Sequence, residues 1–463
     1  MNLINVKQPS SSLLSGSVLG SIRLSGLLLL GLLLSILLSL PSAQAQQVPA
    51  AVYSRYVTLT TAFAKLSAQD DEQLKAKAES NKILIDNIAD FYQQQREHST
   101  ERQLLASNLY LQVLLSQQDS LQGYEQSYQV VNQLLSLSLE LEQQLTFQQL
   151  AAQLAASLTS STDANKTPNI KSWALVTQHL NAWFKLVDKL DVKQRETYKI
   201  TNAQQASNAA LLAQAYYLQD KLTAALAPSK RAYKLVPKNE SYLKLLLALL
   251  QRLEQDQQLN KHLAIAVVDF PKSRDYWERL AYSYLALEQN KSALSTLAIT
   301  RNQGLLTAQG YRVLASLYLQ QQQPRLAAAV YLEGAENKLL LLDQAYFKGL
   351  SNAWLMARER SKALAVFSQA TSAGIKLAKH DQQQAQLLYL EARWSEAESA
   401  YIALLDRRVE NKDQKTLLMT DKWRFLLAVS QIEQGKKAQA KDNLLLLQTK
   451  QYQGYSKGWL AQL

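Results

Sequence analysis

Arg274–Thr307 reads RDYWERLAYSYLALEQNKSALSTLAITRNQGLLT, and the following stretch of equal length, Ala308–Leu341, reads AQGYRVLASLYLQQQQPRLAAAVYLEGAENKLLL. Placed one above the other, Trp277 falls on Tyr311, Leu280 on Leu314, Ala281 on Ala315, Tyr284 on Tyr318, Ala293 on Ala327 and Leu297 on Tyr331. Small residues recur where two antiparallel helices must approach closely. Leu and aromatic residues recur where the space between helices must be filled. The step extends in both directions. Pro237 and Pro271 stand one such step apart and place earlier units at Ala206 and Glu240. A two-residue slip places the next unit at Gln344, the step then returns at Ala378, and a last unit starts near Asp421 after a longer connection, Glu410–Thr420.

This pattern resembles the tetratricopeptide repeat, a helix–turn–helix unit of about 34 residues. Ala213, Tyr216, Ala225, Ala232 and Pro237 fit it in the first unit. Phe347, Leu350, Ser351, Trp354, Ala363, Phe367 and Ala370 fit in the unit from Gln344. Ala385, Leu388, Ala397 and Tyr401 fit in the unit from Ala378, and Ala428, Gly435, Ala440 and Leu444 in the last. The unit from Glu240 is degenerate, with Leu259 where Ala is wanted, and Pro228 should kink the second helix of the first unit. The expected fold is all-α, a tetratricopeptide-like α-solenoid: a right-handed superhelix of antiparallel helix pairs, with about six to seven units over 206–463 and a further helical region before them. The residues that make the pattern are core.

Composition agrees. Gly (13) and Pro (8) are scarce in 463 residues, and Leu, Ala and Gln, all good helix formers, dominate. The chain has no Cys, which excludes a disulfide framework, a thiolate zinc site and a lipoprotein attachment site. His98, His179, His262 and His380 are scattered and form no metal-binding pair. The net charge is +12; Lys7 and Arg23 supply two of those charges before residue 46, where no acid stands, leaving +10 for the rest. Such a surface favours acidic partners or anionic surfaces. An exported chain does not meet nucleic acid.

Export is expected from residues 1–45. Lys7 and Arg23 precede the apolar run Leu24–Leu40, and Pro41-Ser42-Ala43-Gln44-Ala45 follows with small residues at the two positions a signal peptidase reads. Cleavage after Ala45 would release a periplasmic chain. The alternative is an uncleaved inner-membrane anchor, for which about 20 apolar residues are needed. Residues 46–158 read as Gln-rich helices, either degenerate repeats or helical hairpins. One apolar stripe runs through Ile83, Leu84, Ile88, Phe91 and Tyr92, and another through Val130, Val131, Leu134, Leu135, Leu139, Leu145 and Leu150. Thr159–Pro168 is the best linker in the chain, and 159–205 reads as linker and helical connection, with Trp173 and Trp183 on the helix that resumes at 170.

A narrower resemblance covers roughly 205–463. Asp269–Tyr284, with its FP…YW..L…Y pattern, is similar to a segment of the tetratricopeptide proteins that accompany TonB–ExbB–ExbD-type energy-transduction systems of gammaproteobacteria. Asn302–Leu305, Ala353-Trp354 with Lys362-Ala363, Arg393–Ala397 and Gly458-Trp459-Leu460 extend it. The resemblance implies a periplasmic helper of outer-membrane uptake, with TonB-, ExbB- or ExbD-like partners. A general envelope assembly scaffold, for secretin, pilus, polysaccharide or outer-membrane-protein machinery, is the other reading.

In such an array the first helix of each pair lines the concave face. The fifth place of successive units reads Ala210, Lys244, Glu278, Arg312, Lys348 and Gln382, and the ninth reads Gln214, Ala248, Tyr282, Ser316, Asn352 and Gln386. Tyr217 and Arg252 should share that face. The candidate groove is therefore Tyr217, Lys244, Arg252, Glu278, Tyr282, Arg312, Lys348 and Asn352, with a protein or peptide as partner. Lys348 and Asn352 also match two places of a carboxylate clamp; Gln383 and Leu426 break the rest of that match, although Lys422 fits. No nucleophile elbow, P-loop, dinucleotide fingerprint or metal pair is present. Acid pairs such as Asp70-Asp71, Glu140/Glu142 and Glu396/Glu398 read as solvated helix faces. No enzyme, cofactor or metal is expected.

Overall fold

A computed structural model describes residues 48–67, 77–116, 121–158, 170–375, 377, 380–406 and 413–463. The expected signal segment 1–45, Asp70-Asp71, the linker Thr159–Pro168, Ala378 and the start of the Glu410–Thr420 connection lie outside them. The described residues form 22 α-helices and no strand. They make two compact units, one up to Leu259 and one from Asn260, with α11 (Asp256–Asp269) beginning in the first and ending in the second.

The first unit holds α1 (Ala50–Ser67), α2 (Ala78–Gln95), α3 (Thr100–Ser116), α4 (Leu121–Leu134), α5 (Leu141–Ser157), α6 (Ile170–Val187), the short α7 (Val192–Thr197), α8 (Asn202–Leu218), α9 (Leu222–Leu235) and α10 (Glu240–Arg252). Its core is a relay. Leu59, Phe63, Ile88, Phe91, Leu105 and Leu109 join α1 to α3. Tyr92, Leu111, Val131, Leu134, Leu150 and Leu154 join α2 to α5. Ala152, Ala155, Trp173, Trp183, Ala209 and Ala232 join α5 and α6 to α8 and α9. Of the stripe read on α2, Ile88, Phe91 and Tyr92 are buried, but Ile83 points to solvent.

The periodic region continues with α12 (Arg274–Ala286), α13 (Asn290–Asn302), α14 (Ala308–Gln320), α15 (Pro324–Glu336), α16 (Gln344–Met356), α17 (Arg360–Ser372), α18 (His380–Leu390), α19 (Trp394–Asp406), α20 (Gln414–Glu433), α21 (Lys437–Leu445) and α22 (Lys450–Leu460). Second helices start at Leu222, Asp256, Asn290, Pro324, Arg360 and Trp394, so the repeat step and its single two-residue slip are physical.

Each pair turns on a residue in the left-handed region: Asp220, Glu254, Glu288, Gln322, Arg358, Ala392 and, in α20/α21, Gly435. In each turn that residue's N–H reaches back three residues and the next N–H reaches back five, as in Gln322 to Leu319 and Gln323 to Tyr318. This is the Schellman stop, which satisfies the last carbonyls of the first helix and reverses the chain in three residues. The small residues Ala213, Ala225, Ala281, Ala293, Ala315, Ala327, Ala363, Ala385, Ala397, Ala428 and Ala440 are fully buried. Among the described residues, extensive packing joins only helices one or two places apart in chain order. A stack held by neighbour contacts alone is an α-solenoid, here of tetratricopeptide type.

Three details differ from the sequence reading. Trp277 is only half-buried, its indole N–H donating to the Pro271 carbonyl at 2.8 Å, and Tyr276 fills the core instead. The first repeat starts at Asn202, four residues early, because Thr201 caps the Gln204 N–H. The connection before the last unit is helical from Gln414, because Asp413 caps Thr416.

Candidate functional site

The face read as a groove divides into residues used inside the stack and residues left outside it. Glu278 is inside. Its side chain is buried, and its carboxylate accepts from the Thr307 N–H at 2.6 Å and the Thr307 hydroxyl at 2.9 Å. Thr307 in turn caps α14 through the Gly310 N–H. Burial pushes the Glu278 carboxyl above the ordinary range, although the two Thr307 bonds oppose it. Arg312 does the same job one unit on: it binds Asp343 at 3.0 Å, and Asp343 caps α16 through the Tyr346 N–H. Burial works to raise the Asp343 carboxyl, but the Tyr346 N–H and Arg312 hold it below its usual value. The fifth place of one unit thus staples the helix cap of the next.

Tyr282 is half-buried beside these groups. Burial and the Glu278 charge raise its hydroxyl well above the ordinary value, and that hydroxyl has no hydrogen-bond partner among the described residues. In the first unit, Arg252 lies over the Tyr217 ring at 5.3 Å and contacts Asp220 at 3.2 Å, while Lys244 pairs with Glu240 on its own helix at 2.9 Å. The candidates therefore fall into a first-unit group, Tyr217, Lys244 and Arg252, and a second-unit group, Glu278, Tyr282, Arg312, Lys348 and Asn352.

Lys348 and Asn352 are left outside. Both are exposed, one helical turn apart on α16, and Lys348 has no ion-pair partner among the described residues. Asn352 leans on the Met356 sulfur at 3.7 Å. Met356 opens onto a depression of about 420 Å³ lined by Gln322–Leu326 and Ala357-Arg358. Among the described residues no three His, Asp or Glu side chains stand close enough to share a metal ion.

Sequence reasoning missed the other polar staples. Arg301 grips Glu333, which also accepts from the Tyr311 hydroxyl; that grip holds the Glu333 carboxyl below its usual value. Glu398 gathers Gln431, Gln434 and Lys436. Asp421 accepts from the Gln448 and Thr449 N–H groups and the Thr449 hydroxyl, fixing the start of α22. The available signal was a Thr or Asp standing just before a first helix, a little less than one repeat after an opposing polar side chain, as with Glu278/Thr307 and Arg312/Asp343.

No protein-family model matches the chain, and no curated protein matches it. Similar solved structures include a tetratricopeptide repeat protein from Parabacteroides merdae, 15% identical, covering 56% of this chain and 97% of that one, with a TM-score of 0.31. The MamA protein is 14% identical over 38% of this chain and 98% of its own, with a TM-score of 0.29. The pilF protein of Pseudomonas aeruginosa is 13% identical over 45% and 95%, also at 0.29. The repeat type rests on the constant step, the Schellman turns and the buried alanines.

Proposed function

We propose that this chain is a non-enzymatic protein-interaction scaffold of the bacterial envelope. It is exported by residues 1–45 and serves as an accessory of a TonB-type energy-transduction system. The observation that carries the scaffold reading is the division of labour on the first-helix face. The stack consumes Glu278 and Arg312 to lock repeat to repeat, yet leaves Lys348 and Asn352 exposed side by side on α16. A cation and an amide presented together suit a peptide carboxylate or backbone. The TonB assignment draws on the resemblance of Asp269–Tyr284 and the closing Trp459.

The test is affinity capture of the chain from its own envelope fraction. Recovery of TonB-, ExbB- or ExbD-like components supports the full reading. Recovery of another envelope assembly instead moves the chain to general scaffolding, and recovery of no protein overturns the scaffold itself. Lys348→Glu should reduce capture at least tenfold with helicity unchanged. Arg312→Glu is a poor substitute, since it breaks the Asp343 staple.

A further inference from the structure

No further inference is drawn: the strongest candidate, the depression of the second unit between the Gln322 and Arg358 turns, in which Leu326 and Met356 stand exposed, carries nothing, because nothing in the structure shows what covers it.

Discussion

In the pair α14/α15 both helices bring a small residue to the core, Ala315 and Ala327, and the chain reverses between them in three residues, Gln321–Gln323. In α5/α6 the small residues come from one helix, Ala152 and Ala155, while the other fills the same core with Trp173 and Trp183. The α5/α6 connection is also long, from Leu158 to 169. Both pairs bury a continuous apolar seam. The two-sided arrangement admits close helix approach and a fixed short turn, and so can be repeated at constant length. The one-sided arrangement fills its core with large rings, and its connection does not keep the short turn length of the repeats. Repeat periodicity in a sequence thus reports constant turn length more than it reports helix pairing.

The largest expected effect breaks the one-sided pair. Trp183→Ala should cost about 3–5 kcal/mol, as for other aromatic-to-alanine changes in cores. Ala327→Leu should cost about 1–3 kcal/mol, the penalty for overpacking a close crossing. Urea midpoints of the two variants measure both. Equal losses for Trp183→Ala and Trp173→Ala would spread the load of α5/α6 and weaken the contrast.

This contrast explains what was legible. The units from Ala206 to Leu444 could be read because Ala, Leu and aromatic places recur at fixed spacing, and the turns at Asp220 through Ala392 keep that spacing. The pair α5/α6 was invisible as a repeat because its residues carry no period. At the site, the fifth place is a mixed signal: Glu278 and Lys348 occupy equivalent places, yet one is buried on Thr307 and the other exposed. What buries Glu278 is its bond to the cap of the next first helix, Thr307, which lies almost a full repeat away in sequence. Trp277 and Tyr276 are adjacent strong candidates for one core slot, and only packing chooses.

The staple gives the next prediction. Glu278→Ala leaves the Thr307 N–H and hydroxyl without their acceptor and should cost about 1–3 kcal/mol. Glu278→Gln keeps an acceptor and removes a buried charge, so its midpoint should stay close to that of the parent protein. A Gln variant as unstable as the Ala variant would show that the charge itself is required.

The first unit should also respond to acid near neutral pH, through a histidine, a residue type that α14/α15 lack. His179 on α6 is buried, with Nδ1 at 2.8 Å from Gln148 and Nε2 at 3.0 Å from the Tyr128 hydroxyl. Burial lowers its pKa below the ordinary 6.5. The unfolded chain then binds more protons than the folded one below that value, so His179's contribution is full above about pH 6.5 and is lost as pH falls through the lowered folded pKa. The urea midpoint followed by tryptophan fluorescence should drop between about pH 7 and pH 5. His179→Phe should flatten the slope in that window.

The smallest effect is a gain, and it probes the turn that makes the repeat legible. Gln322 sits at φ 56 and Glu288 at φ 58, where a side chain crowds the backbone, while the last turn already uses glycine, Gly435, at φ 77. The left-handed conformation costs an ordinary residue about 1 kcal/mol or more, and glycine relieves it at some entropic cost to the folded state. Gln322→Gly should therefore stabilise the protein by about 0.5 kcal/mol. Gly435→Ala should destabilise it by about 1 kcal/mol, since no neighbouring atom lies within 4 Å of the added Cβ and only the backbone is strained. Opposite shifts of the urea midpoint check both. A loss with Gln322→Gly would mean that the Gln322 side chain holds the turn, and that constant turn length is kept by side-chain contacts instead of by the Schellman hydrogen bonds.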